Sequence, residues 1–144
     1  MIDVDVIEDA LIADIKANIS GLKTVETHET DFDNKTAQQL ILLNPFILIK
    51  YGGLVPVEGE RLANQGSGMK LPRFVFSIGA QSLRTRKDAQ RGCYSILKEL
   101  GARYDGGTLV TAQGDVDLAL TREQFLFSDG GLVVYGAEYS YFDS

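Results

Sequence analysis

The stretch from Leu71 to Gly101 leaves this chain few choices, because a strand runs almost directly into the most regular helix in the sequence. Phe74, Phe76, Ile78 and Ala80 alternate with Arg73, Val75, Ser77 and Gly79, the period of two expected of a half-buried strand. The segment that follows places Ala89, Cys93, Ile96, Leu97 and Leu100 on a single stripe, with Lys87, Asp88, Gln90, Arg91, Ser95, Lys98 and Glu99 opposite. The spacing predicts an amphipathic helix lying on one face of a sheet. Thr85, with the acidic Asp88 after it, suits the start of that helix, and Gly101 is expected to stop it in the left-handed conformation.

A second helix is expected from about Asp5 to Ile19, with Ile7, Leu11, Ile15 and Ile19 at steps of four and Ile12 widening the stripe. Glu8 and Asp9 fall in its first turn and Ser20-Gly21 closes it. Lys23 to Glu29 reads as a short strand with little to bury, placed at a sheet edge or in a hairpin. Leu40 to Leu43 is apolar and suits a short helical turn, and Asn44-Pro45 separates it from Phe46-Ile47-Leu48-Ile49-Lys50-Tyr51. A continuous apolar run of this kind fits a central strand covered on both faces, starting after the proline that has no N–H to donate. Gly52-Gly53 kinks this strand before Leu54 to Val57 continue it. Arg103 to Gly107 reads as a turn, Thr108 to Ala112 and Gly114 to Leu120 as weak segments, and Glu123 to Phe127 with Leu132 to Tyr141 as a strong hairpin around Ser128-Asp129-Gly130-Gly131. The order α, β, β, β, α, then further strands predicts an α+β fold, a mostly antiparallel sheet with two helices packed against it.

The 144 residues fit a single domain spanning 1–144, long enough to bury roughly two thirds of the unfolded surface. The apolar runs are far shorter than the roughly 20 residues that span a bilayer, and acids at Asp3 and Asp5 stand where an export signal carries Lys or Arg, so neither membrane insertion nor export by a leader is expected. Twenty acidic against fourteen basic side chains leave a net charge of −6, which opposes tight binding to nucleic-acid phosphates. Such a surface still suits a channel that lets DNA pass without holding it.

Side chains suited to catalysis are sparse. His28 is the only histidine and sits in a polar segment, and Cys93 is the only cysteine and falls in a helix stripe, where it acts as a small hydrophobe with a raised thiol pKa. Asp31-Phe32-Asp33-Asn34 and Asp115-Val116-Asp117 begin like calcium loops but lack the later ligand and glycine, so both read as solvated turns. The paired glycines lack phosphate-cradling spacings. No catalytic residue, cofactor or metal is expected, and the chain does not read as an enzyme. The basic cluster Arg84, Arg86, Lys87 and Arg91 is either a solvated helix start or an acid-binding contact to a neighbouring subunit.

Several segments together resemble one family. The acidic N-terminal helix, the Pro45-to-Gly53 strand, the Phe74-to-Ala80 strand with its Arg-rich helix start, and the Phe125-to-Tyr135 hairpin are similar to the tail-completion or tail-terminator proteins of Mu-like phages and prophages, long held as a domain of unknown function. That resemblance implies a structural virion protein that caps the completed tail tube as a ring, six subunits being expected, and presents the joining surface to the head. It implies tail tube and neck proteins as partners, DNA passing through the ring, and a place in the cytoplasm of the bacterial host before incorporation into the virion tail. A neck or head-completion adaptor ring is the alternative within that class, and a small hydrolase or ligand-binding domain is the alternative outside it.

Glu58 to Lys70 is polar and Gly-rich and links two strong strands. It is expected to form a long arm, poorly ordered in a lone subunit, whose Glu58, Glu60, Arg61 and Lys70 give a mixed charge suited to contacts with tube or neighbouring subunit without gripping DNA.

Overall fold

The computed structural model describes residues 2–27, 40, 43–56, 70–82 and 86–143. Their elements are α1 (Val4–Asn18), β1 (Thr24–Thr27), β2 (Phe46–Pro56), β3 (Lys70–Gln81), α2 (Arg86–Tyr104), β4 (Thr108–Thr111), β5 (Gly114–Asp129) and β6 (Leu132–Asp143). The six strands form one sheet in the order β1-β2-β3-β6-β5-β4. Every pair is antiparallel except β1 with β2, which run parallel. The α+β architecture, the two helices and the mostly antiparallel sheet agree with the sequence pattern.

Both helices lie on the same face. Ile7, Leu11 and Ile15 of α1 and Ala89, Cys93, Leu97, Leu100 and Tyr104 of α2 join one core with Ile47, Ile49, Phe74, Phe76, Ile78, Val133, Ala137, Tyr139 and Tyr141. The alternation read in β3 holds, since Phe74, Phe76 and Ile78 are fully buried and Ala80 nearly so. α2 covers β3, β6 and β5, whereas α1 touches both β1 and β4, the two ends of the strand order, so the sheet curls around it. At the start of α1, Asp3 and Gln113 exchange two hydrogen bonds of 3.0 and 3.1 Å, which ties the helix to the β4–β5 turn and occupies the Asp3 side chain, so it does not cap the helix.

The opposite face carries a smaller cluster of Leu40, Phe46, Leu48, Leu132 and Val134, with Leu43, Leu126 and Phe127 against it. β2 is therefore covered on both sides where the apolar run predicted it, and Phe46 to Ile49 are fully buried. Gly79 is required here: a Cβ on it would stand 2.2 Å from the Phe46 ring, a separation no relaxation of an aromatic packed at 0% exposure absorbs cheaply. Leu40 and Leu43 are helical, as their apolar spacing suggested.

Four expectations need correction. Gly101 does not end the second helix, which continues for another turn to Tyr104 because that side chain is 1% exposed and packs into the core. The left-handed stop falls at Gly106, φ 79°, so Arg103 and Tyr104 belong to the helix rather than to a turn. Gly114 to Leu120 is not a weak segment apart from the Glu123 to Phe127 hairpin arm; both belong to one strand, Gly114–Asp129, accommodated by bulges at Leu120/Arg122 and Phe125/Phe127, and its turn is Gly130-Gly131, both with positive φ. Asp115 and Asp117 accordingly lie in a strand, not a solvated turn, with Val116 buried between them and Asp117 accepting a 2.6 Å hydrogen bond from the Thr108 hydroxyl. Within the 23–29 segment, Thr24–Thr27 form an edge strand as read, paired parallel to β2.

Candidate functional site

The structure separates the two groups of residues singled out for contacts. Glu58, Glu60, Arg61 and Arg84 lie outside the described residues, as do His28, Thr85 and the Asp31 to Asn34 motif. Lys70 opens β3 opposite Pro56, and Arg86 opens α2, the side chains of both lying outside the described set. Lys87 and Arg91 are exposed on the first turns of α2, one helical turn apart. β3 runs from Lys70 to Gln81 before α2 begins, so Pro56 and Lys70, which flank 57–69, lie at the far end of a strand roughly 35 Å long, at about 3.3 Å per residue, from the start of α2.

The densest polar cluster is one that sequence patterning misses. Asp14 projects from α1 toward the last turn of α2, where Arg103 donates from Nε to Oδ2 at 2.6 Å and from its terminal nitrogen to Oδ1 at 2.7 Å, while the Tyr104 hydroxyl donates to Oδ2. The Arg103 guanidinium holds the Asp14 carboxyl below the usual range, against the opposing effect of burial. Burial and the same carboxylate push the Tyr104 phenol up, so it stays a donor at every ordinary pH. The carboxylate also accepts from the Asn18 side-chain amide of its own helix at 3.2 Å, so three of its four bonds join α1 to α2, which makes the cluster a clamp rather than an acid or base poised for chemistry. The signal for it was absent because Asp14 is off the apolar stripe of α1 and Arg103 followed a glycine expected to end its helix.

Beside α2 lies a groove of about 460 Å³ lined by Tyr94, Leu97, Lys98, Gly101, Ala102 and Glu123. Tyr94 and Phe125 are exposed to 49% and 44%, and Tyr135 stands between them, its hydroxyl 3.1 Å from that of Tyr94 and its ring edge-on to both. Under the groove the Tyr139 hydroxyl is buried without a hydrogen-bond partner, its phenol pushed up by burial and by Glu123 and Asp105. Cys93 is buried, with its thiol 3.2 Å from the Val133 carbonyl, and burial pushes it up to about 11. A thiol so protonated is not a nucleophile. Among the described residues no three His, Cys, Asp or Glu side chains are grouped to hold a metal ion, and no helix is long and apolar enough to cross a membrane.

The sheet face opposite α1 and α2 has a charged end. Arg73 and Glu138 form an ion pair at 2.7 Å, and Arg122 on β5 faces Glu138 directly across the ladder. Among the described residues the sheet also ends openly: β1 has only β2 beside it, and β5 is flanked by β4 solely over Gly114 to Asp117. In comparisons with known proteins, the chain matches no family model and no curated protein.

Proposed function

We propose that the chain is a structural protein of a phage or prophage particle that caps a completed tail tube as a ring and offers the joining surface for the head, with no chemistry of its own. The observation that carries this reading is the sheet itself. Among the described residues it has two different unflanked edges, the outer side of β1 and that of β5 beyond Leu120, and no pairing joins β1 to β4 or β5. A surface with different edges on its two sides favours head-to-tail association, and head-to-tail contacts with the right rotation close into rings. The net charge of −6 supports a lumen through which DNA slides without being held, and the half-buried Asp14 carboxylate is taken up by its structural contacts with Arg103 and Tyr104. The resemblance of the strand, helix and hairpin segments to Mu-like tail-completion proteins supplies the tube as the partner.

Purified protein mixed with tail tubes tests the reading. Electron microscopy should show density capping one end of each tube, and light scattering should show either a ring in isolation or one that forms only on the tube. Protein that leaves tube ends bare overturns it.

A further inference from the structure

We infer that neighbouring copies join by adding β1 of one copy to the outer side of β5 of the next, with Glu26 standing opposite Arg122. The inference rests on the ring reading and names the seam of that ring. Along the outer side of β5, β4 occupies Gly114 to Asp117, and the turn after α2 takes the next positions: Gly106 and Gly107 bond Leu118, and the Asp105 carboxylate accepts from the Leu120 amide at 3.0 Å. Beyond them, among the described residues, no strand flanks Arg122, Glu123 and Gln124. That open side runs on from Thr121 to Asp129 among the described residues, which leaves room for the four residues of β1.

Direction and face both agree. β1 is parallel to β2, and three successive antiparallel pairings carry that direction through β3 and β6 to β5, so a sheet continued side by side sets β1 antiparallel to β5. Val25 faces α1 and α2, so Glu26 points to the opposite side. Arg122 pairs with Glu138, next to the core residue Ala137, and therefore points to the same side. Opposing them gives Thr24 with Gln124 and Val25 with Glu123, and Thr27 falls at the bulge between Leu120 and Arg122. A shift of one residue would put Glu26 and Arg122 on opposite faces, and a shift of two toward Gln124 keeps the face but gives up the charge pair.

Charge selects the same register. Arg73, Glu138 and Arg122 form a row of alternating sign across β3, β6 and β5 that ends at the sheet edge on an exposed arginine, and the incoming Glu26, also exposed, extends it. Among the described residues the side chains of Glu26 and Arg122 make no hydrogen bond or ion pair. On the helix side the seam runs along the groove lined by Tyr94, Leu97, Lys98 and Glu123, setting α1 of one copy beside α2 of the next.

The test is a full-length E26C/R122C variant, oxidised alone and on tail tubes. Within one copy the two positions are four strand spacings apart, roughly 19 Å, so no internal disulfide can form. A ladder of covalent oligomers ending in a closed species is expected, with E26C alone and R122C alone remaining uncrosslinked. In parallel, E26R should raise the concentration for half-assembly roughly tenfold and E26R/R122E should restore it, since like charges directly opposed are unfavourable. Each variant's melting temperature is the control for folding. Tube ends capped by wild-type protein, with no ladder and no effect of E26R, would overturn this seam and leave the ring standing. Wild-type protein that neither self-associates nor caps tubes would overturn both.

Discussion

Asp14 shows how much a single residue can hold without any pattern announcing it. Its carboxylate receives two bonds from Arg103 and one from Tyr104, and the side chain of Arg103 remains 41% exposed, so water screens the pair. Asp14→Asn should therefore cost about 1 kcal/mol at neutral pH. Because the folded-state pKa of Asp14 is depressed, its contribution is present above the ordinary carboxylate value of 3.8 and is lost as pH falls through the lower folded value. Denaturation of wild type and variant across pH should show a gap that is constant at neutral pH and closes below 3.8; a gap that persists in strong acid would mean packing, not charge, is what the substitution removes. Cys93 makes the opposite case, since its place in an apolar stripe foretold both its burial and its raised pKa. A thiol reagent at pH 8 should label it only on unfolding, and rapid labelling of native protein would show that α2 lifts from the sheet.

At the level of elements, what could be read from sequence is what repeats. The alternation of Phe74, Phe76 and Ile78 and the stripe of Cys93, Leu97 and Leu100 are periodic and were legible. The helix end was not, because Gly101 matches the local signal for a stop while the tertiary burial of Tyr104 three residues later overrides it. β5 was read in pieces for the same reason: bulges at Leu120/Arg122 and Phe125/Phe127 break its period, though β6 pairs with it throughout. The α2 stripe can be tested directly. Leu97→Ala removes a side chain that is 6% exposed between helix and sheet and should cost about 2–5 kcal/mol in denaturant unfolding. A loss below about 1 kcal/mol would place Leu97 at the wet margin of the neighbouring groove instead of in the core.

The whole molecule depends on pairings between distant segments, which a single sequence does not reveal. Nothing in Thr24 to Thr27 announces that it lies parallel to β2, and nothing in the helix stripes announces a sheet curled until α1 meets both of its ends. The contact candidates were only partly legible: Lys87 and Arg91 are exposed as read, but Lys70 opens β3 at the end away from the basic helix start, while the open edges that carry Glu26 and Arg122 follow from topology alone.

That topology gives the arm a sharp test. β2 and β3 pair antiparallel right up to Pro56 and Lys70, so the two strands are in hairpin register where the 57–69 segment leaves them. A two-residue Asn-Gly turn closes such a register with the twist the strands already have. Replacing 57–69 by Asn-Gly should therefore preserve the fold, because the β2–β3 ladder holds up to Pro56 and Lys70 and the described residues of both helices and all six strands already supply two hydrophobic clusters. A shorter loop also costs less closure entropy, so the melting temperature should hold or rise slightly. Tube capping is where the loss should appear, since Glu58, Glu60 and Arg61 go with the segment. A variant that melts early would assign the segment to the core, and one that folds and still caps tubes at full occupancy would show that tube recognition lies elsewhere, leaving the basic start of α2 at the far end of β3 as the next surface to change.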